Sequence, residues 1–297
     1  IMVNYLEKYG YYPKTSEIDG AIANISANVD GFMTEDVLKA CFSMLDLTSL
    51  KTNDTDASIA TLVEKVNAFP ADYPGWPYPA SVCVYPNFAS TVRDTRKGDF
   101  HITVVSACFP SSQSFLDVKL LECAKAVENG ADEVDIVLSL NYFLAGDYEK
   151  ASEEIRAVRK CIDEVAAKQG RNVHLKVILE TGLLVSAENI ANASFLAMEA
   201  GADFIKTSTG KVEVNATPMA AFVMCQCIAK FYEKTGKKIG FKPAGGISSA
   251  KDAICYYLIV SAALGKEWLN KDLFRFGVSR VANSILSVAQ QKTIAYF

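Results

Sequence analysis

Eight short apolar runs, separated by amphipathic helical patterns, predict an α/β chain folded as a (β/α)8 barrel of the TIM type with an N-terminal helical extension. The runs are nearly continuous in apolar residues, as strands are when a sheet is covered on both faces. The stretches between them carry caps and helical periodicity, as the crossovers of a parallel sheet require. Such a barrel commonly occupies about 250 residues as one domain, and the chain has 297.

The first strand is placed in CFSMLDL (Cys41–Leu47), ahead of an acidic, capping-competent segment at Asn53–Asp56. The others are SVCVYP (81–86), HITVVSACF (101–109), EVDIVLSL (133–140), HLKVILET (174–181), DFIKTSTG (203–210), KIGFKPAGG (238–246) and LFRFGVS (273–279). One crossover helix follows Asp117 and stops at Gly130, with Leu120, Leu121, Ala124 and Val127 on one face. Another runs from near Asp147 to Gly170. A third is capped by Ser186 and ended by Gly201, and a fourth is capped by Thr217, with Pro218 at its first position and Gly236 past its end. Residues 1–40 form the extension, with helical runs near Ser16–Val29 and Thr34–Ala40. Residues 41–290 form the barrel and 291–297 a tail; no linker, repeat or low-complexity tract divides the chain.

Half of the residues are hydrophobic and the net charge is −4, with no basic patch, so neither nucleic acid nor a membrane is an expected partner. Eight cysteines lie mostly inside apolar runs and form no C-x-x-C pair, the usage of buried free thiols in a reducing compartment. The N-terminal stretch lacks the long apolar core of a signal peptide, and cytoplasm is the expected location.

Chemistry is concentrated where charge enters the apolar runs. Lys206 lies in the sixth run, followed by the hydroxyl- and glycine-rich turn STGK, and Lys242 lies in the seventh, ahead of Gly245–Gly246. A barrel's active site forms at the C-terminal ends of its strands, where both lysines fall. Neighbouring strands are about 4.8 Å apart, so the two amines repel each other; burial adds to this, and a neutral amine is what attacks a carbonyl. The competing reading is structural pairing of each lysine with a buried carboxylate such as Asp135 or Asp46. Asp135, amid apolar neighbours in EVDIV, is placed to move a proton or merely to neutralise a lysine. Lys176 sits near the start of the fifth run, on the far side of the barrel from the chemistry, where its stem is expected to pack at the rim and its head to reach water. The loops after strands seven and eight, Gly245-Gly246-Ile247-Ser248 and Gly277-Val278-Ser279, suit a phosphate, with Lys211 adding charge from loop six. The two histidines, His101 and His174, both open their strands at the far end, so neither a zinc site nor a histidine-assisted hydrolase is expected. No G-x-G-x-x-G follows the first strand, and no cofactor is expected.

FIKTSTGKVEVNATP, GFKPAGGISSAKDA, EVDIVLSLNYFLAGDYE, VCVYP and LDLTSL together resemble deoxyribose-phosphate aldolases, over roughly residues 40 to 285. The resemblance implies a class I lyase in which Lys206 forms the Schiff base, Lys242 lowers its pKa and Asp135 relays the proton. It implies contacts of Asp46 and Thr48 with the second lysine and the substrate hydroxyls, and a pocket-lining Cys83 with no essential role. Thr209, Gly210, Lys211, Gly245, Gly246, Gly277 and Ser279 then bind the substrate, chiefly at its phosphate. The implied partners are acetaldehyde and a small phosphorylated sugar, and a homodimer is one assembly left open. This chain departs from the family pattern with Arg280 after Ser279 and with Ser248 where many members carry arginine; either the cation has changed loops and Arg280 strengthens phosphate binding, or Arg280 faces solvent. Tyr296 near the C-terminus is either a proton-transfer residue, as in some members, or part of a disordered tail. Two rivals stand beside this reading: a barrel aldolase or transaldolase for another sugar phosphate, and a silent barrel kept as a binder.

Overall fold

The computed structural model describes residues 2–297. Its eight strands are β1 (Leu45–Thr48), β2 (Ser81–Val84), β3 (His101–Val105), β4 (Glu133–Val137), β5 (His174–Ile178), β6 (Phe204–Lys206), β7 (Gly240–Lys242) and β8 (Phe276–Val278). Strands β1 to β7 pair in parallel in sequence order, and β8 pairs in parallel with β1. The circle closes between β7 and β8, where Gly277 N–H donates to Pro243 O at 2.9 Å and Arg275 N–H to Phe241 O at 3.0 Å. This is the predicted (β/α)8 barrel.

Side chains alternate along every strand. Val82, Val84, Ile102, Val104, Val134, Ile136, Leu175 and Val177 face outward into one continuous core shared with the helices, and all are fully buried or nearly so. The alternate positions point into the barrel. Branched apolar side chains usually fill that interior; here its lower layers are built instead from Asp46, Ser81, Thr103, Glu133, Asp135, Lys176 and Arg275, every one of them buried.

The caps fall where the sequence places them. Thr55 accepts from Ser58 N–H in a capping box, and Asp147, Ser186 and Thr217 accept from Lys150, Asn189 and Ala220 N–H. Three expectations are corrected. Cys41 to Ser43 belong to the helix Glu35–Ser43, so strand one starts only at Leu45. A short apolar run has no periodicity to separate a buried helix end from a strand. Strands β2 to β7 are shorter than their apolar runs chiefly at the C-terminal end, where pairing stops and the loops turn away into the mouth. In the helix Leu116–Glu128 the core face is Lys119, Cys123, Ala126 and Val127, while Leu121 is exposed. Lys119 occupies that face because its ammonium is paired with Glu154 and bonded to Ser112.

The extension forms the helices Tyr5–Tyr9, Thr15–Asn28 and Glu35–Ser43. It runs along the outside of the barrel. Tyr9 stacks on Phe195 with centroids 4.3 Å apart, and Tyr11 Oη donates to Gln226 Oε1 at 2.7 Å. The tail is packed rather than loose. Asn283 Oδ1 accepts Tyr296 N–H and Phe297 N–H, and Tyr296 Oη donates to Asp72 Oδ2 at 2.6 Å. Among the described residues, no helix is long and apolar enough to cross a membrane.

Candidate active site

Register puts the two predicted lysines side by side, since Lys206 of β6 is the direct partner of Lys242 of β7. Their Nζ atoms meet at one carboxylate oxygen, Asp135 Oδ2, 3.0 Å from Lys206 and 2.8 Å from Lys242. Lys242 has a second partner, Asp46 Oδ2, at 2.5 Å. Lys206 has none.

The charges beneath explain why this matters. Lys176 Nζ lies 2.5 Å from Glu133, 3.1 Å from Asp46 and 3.3 Å from Asp135. Arg275 spans Glu133 Oε1 and Oε2 at 2.6 and 2.8 Å and reaches Asp46 Oδ1 at 2.9 Å. Ser81 and Thr103 hydroxyls fill the remaining acceptor sites on Asp46 and Glu133. The cluster therefore holds three carboxylates and four basic side chains, all buried. Isolated buried charge is expensive, and with one more base than carboxylate the cluster favours loss of a proton from one of its amines. Lys206 is the one with a single shared partner. Burial, and then the Lys242 ammonium, push its pKa down. Burial pushes Lys242 down as well, but Asp135 and Asp46 outweigh it and hold this amine protonated. Burial raises Asp135, yet Lys176, Lys242 and Lys206 together hold its carboxyl at about 2.

This corrects the reading of Lys176. It is the third residue of β5, paired in register with Asp135, and its long stem carries the ammonium across the barrel to Asp46. Glu133 and Arg275 are additions to the predicted set. Glu133 had a signal, because it stands two residues from Asp135 and so shares its face in EVDIV.

Above Lys206 opens a cavity of about 510 Å³ at the C-terminal ends of β1, β6, β7 and β8. Lys206, 3 % exposed, forms part of its floor. Thr48, Thr209, Gly210, Lys211, Gly245, Gly246, Gly277 and Ser279 reach its walls, as do Lys51, Ser248 and Arg280. Gly245 and Gly246 have φ of +77° and +75°, the left-handed region that suits glycine. Lys211 Nζ spans the mouth to donate to Leu50 O at 2.6 Å. Two assigned residues do not reach the wall: Asp46 is fully buried beneath it, touching Lys242, and Cys83 is packed with Leu50 and Val105. Another cavity, of about 500 Å³, lies outside the barrel against the first helix of the extension, where Lys8 pairs with Glu199 and Arg156 with Glu149. The reactive arrangement is at the barrel mouth.

A sequence profile described as DeoC/LacD family aldolase matches residues 41–266, which contain both lysines, Asp135 and most of the cavity. The chain belongs to this family. It is 42 % identical over 265 residues to the deoxyribose-phosphate aldolase of Homo sapiens, covering 84 % of this chain and 79 % of that one. It is 39 % identical over 247 residues to that of Agrobacterium fabrum, covering 83 % and 89 %. The solved deoxyribose phosphate aldolase of Aeropyrum pernix, described as having a unique tetrameric structure, has the same fold. Its TM-score is 0.65 at 22 % identity, over 93 % of this chain and 98 % of that one. In this member of the aldolase family, then, the one buried lysine without a carboxylate of its own is also the one that opens to the cavity.

Proposed function

We propose that the chain cleaves 2-deoxy-D-ribose 5-phosphate reversibly to acetaldehyde and D-glyceraldehyde 3-phosphate, with Lys206 as the Schiff-base lysine. The observation that carries this assignment is the position of Lys206, an under-compensated amine at the floor of the mouth cavity. Lys206 Nζ adds to C1 of the open-chain sugar phosphate, and loss of water leaves a protonated imine. Removal of the C3 hydroxyl proton lets the C2–C3 bond break, its electron pair entering the iminium. This gives an enamine and frees D-glyceraldehyde 3-phosphate. The enamine takes a proton at C2, and hydrolysis of the imine releases acetaldehyde and returns the free amine.

The imine is the electron sink for this chemistry. Asp135 touches both amines, so it relays protons with Lys242 while its charge keeps Lys242 protonated. Asp46 anchors Lys242 from below. Thr48 faces the sugar hydroxyls, and Thr209, Gly210, Lys211, Gly245, Gly246, Gly277 and Ser279 hold the phosphate end, with Arg280 supplying the cation that Ser248 does not. All of them stand on the cavity wall. Fixing the phosphate orients the reacting carbon over Lys206. Eight free cysteines suit a reducing, cytoplasmic setting.

A coupled assay for glyceraldehyde 3-phosphate tests the reading. Wild-type protein should cleave 2-deoxyribose 5-phosphate in preference to other aldose and ketose phosphates, and folded Lys206→Ala protein should not. Cleavage retained in Lys206→Ala, or a stronger preference for another sugar phosphate, would overturn it.

A further inference from the structure

The loop that follows β5 carries backbone strain at two positions. Glu180 has φ +58° and Val185 has φ +65°, left-handed values uncommon outside glycine and least suited to a β-branched side chain. Between them lies the single turn Thr181–Leu184. The bend at Glu180 directs its side chain inward, where it is 2 % exposed. Both carboxylate oxygens are occupied by one residue. Oε1 accepts Thr209 N–H at 3.1 Å and Oε2 accepts the Thr209 hydroxyl at 2.8 Å.

The rest of the seam follows the same course. Thr181 N–H donates to Thr207 O at 2.9 Å. Gly182 lies so close to loop six that an added Cβ would fall 2.0 Å from Val214 O. The β5 loop is thus joined to loop six along residues 207–214. From Thr209 the constraint passes to the cavity. Its hydroxyl oxygen accepts Lys211 N–H at 3.0 Å, and Gly210 N–H is held by Asn215 Oδ1 at 3.0 Å. Thr209, Gly210 and Lys211 form the cavity wall, whereas Glu180 does not reach it.

We propose that Glu180 is a positioning residue for phosphate recognition, its carboxylate fixing Thr209 and through it the Thr209–Gly210–Lys211 turn. The inference rests on the aldolase reading above. A carboxylate can only accept hydrogen bonds. It therefore obliges the Thr209 hydroxyl to donate and leaves that oxygen's lone pairs to Lys211 N–H. A glutamine amide facing the hydroxyl would donate instead, in competition with Lys211 N–H for the same oxygen. The strain at Glu180 is sustained because the carboxylate has two ideal donors at that one position.

The experiment compares wild type, Glu180→Gln, Thr209→Val and Thr209→Ser on 2-deoxyribose 5-phosphate and on unphosphorylated 2-deoxyribose. The readout is the ratio of kcat/KM for the two substrates. Glu180→Gln and Thr209→Val should each lower that ratio at least tenfold, mainly through KM for the phosphorylated sugar. Thr209→Ser, which keeps the hydroxyl that donates to Glu180, should lose less of the ratio than Thr209→Val. Borohydride trapping of acetaldehyde on Lys206 reports that each variant retains a folded site. If Glu180→Gln does not fold, Glu180→Asp decides, since it keeps the carboxylate but withdraws it from Thr209 and should lower the ratio likewise. An unchanged ratio in the folded variants, with both substrates losing equally or not at all, would overturn the inference. Wild-type protein that cleaves neither substrate would overturn the aldolase reading and this inference with it.

Discussion

A lysine in water holds its proton to about pH 10; at Lys206 burial, and then the Lys242 ammonium, lower that value, while the Asp135 carboxylate it shares with Lys242 only partly offsets them. Replacing Lys242 with leucine removes the opposing charge and leaves Asp135 Oδ2 to Lys206, with Lys176 still beside Oδ1. The Lys206 pKa then rises, and each unit of rise removes about nine-tenths of the reactive amine. Lys242→Leu should slow imine formation at neutral pH by about 10- to 100-fold and move the acid limb of its rate profile upward. A stopped-trapping pH profile that stays in place would contradict this. Asp135 carries the complementary signature. Its folded pKa of about 2 lies below its ordinary 3.8, so its stabilising charge is present above about pH 4 and lost as pH falls toward about 2. Thermal unfolding across that window should show a steeper loss in wild type than in Asp135→Asn, and parallel curves would be against it. The sequence exposes Lys206 and Lys242 because each is a charge among apolar residues late in its run, and Asp135 because valine and isoleucine flank it. It conceals Lys176, since nothing in HLKVI indicates that the layer across the barrel is acidic; that layer exists only once β1, β4 and β5 are in register.

Strands this short owe their precision to what fills them. Arg275 joins Glu133 to Asp46 across the β8–β1 side, and its guanidinium forks match two carboxylates at once. Arg275→Met should destabilise the barrel by about 3–5 kcal/mol, because it leaves buried carboxylates unpaired. Urea unfolding measures this, and a change below about 1 kcal/mol would mean the cluster relaxes. Gly277 works differently. A Cβ there would meet Ala244 Cβ at 2.7 Å and Lys242 Cε at 3.0 Å. Gly277→Ala should therefore displace the Lys242 stem and lower kcat at least tenfold, a larger effect than a change in KM alone. Equal kcat would show that β8 yields instead. Helix caps were legible at this scale because Ser, Thr and Asp signal them locally. The strand ends were not, because apolar residues continue into loops that stay buried around the mouth.

At the scale of the whole molecule, eight alternating runs suffice to specify the barrel, since parallel strands need helical crossovers and both sheet faces need cover. What lies outside the repeat was harder to read. The extension follows the outer helices through Tyr9 on Phe195, and the tail lies against the helix Asp56–Asp72 through Tyr296 and Asp72. These contacts depend on long-range packing, which carries no periodic signal. Tyr296→Phe should cost about 0.5–1.5 kcal/mol for the lost hydrogen bond and leave the proton-transfer rate unchanged. Slower exchange of the enamine carbon proton at full stability would instead place Tyr296 in the chemistry. The barrel holds an under-compensated amine at the floor of an open cavity. The most direct test of that claim is to add acetaldehyde with borohydride at neutral pH and map the reduced adduct by mass spectrometry. Stoichiometric labelling on the peptide carrying Lys206, with Lys176 and Lys242 unlabelled, is the expected result. Labelling of Lys242 or Lys176 in its place, or no labelling of the folded protein, would contradict the account.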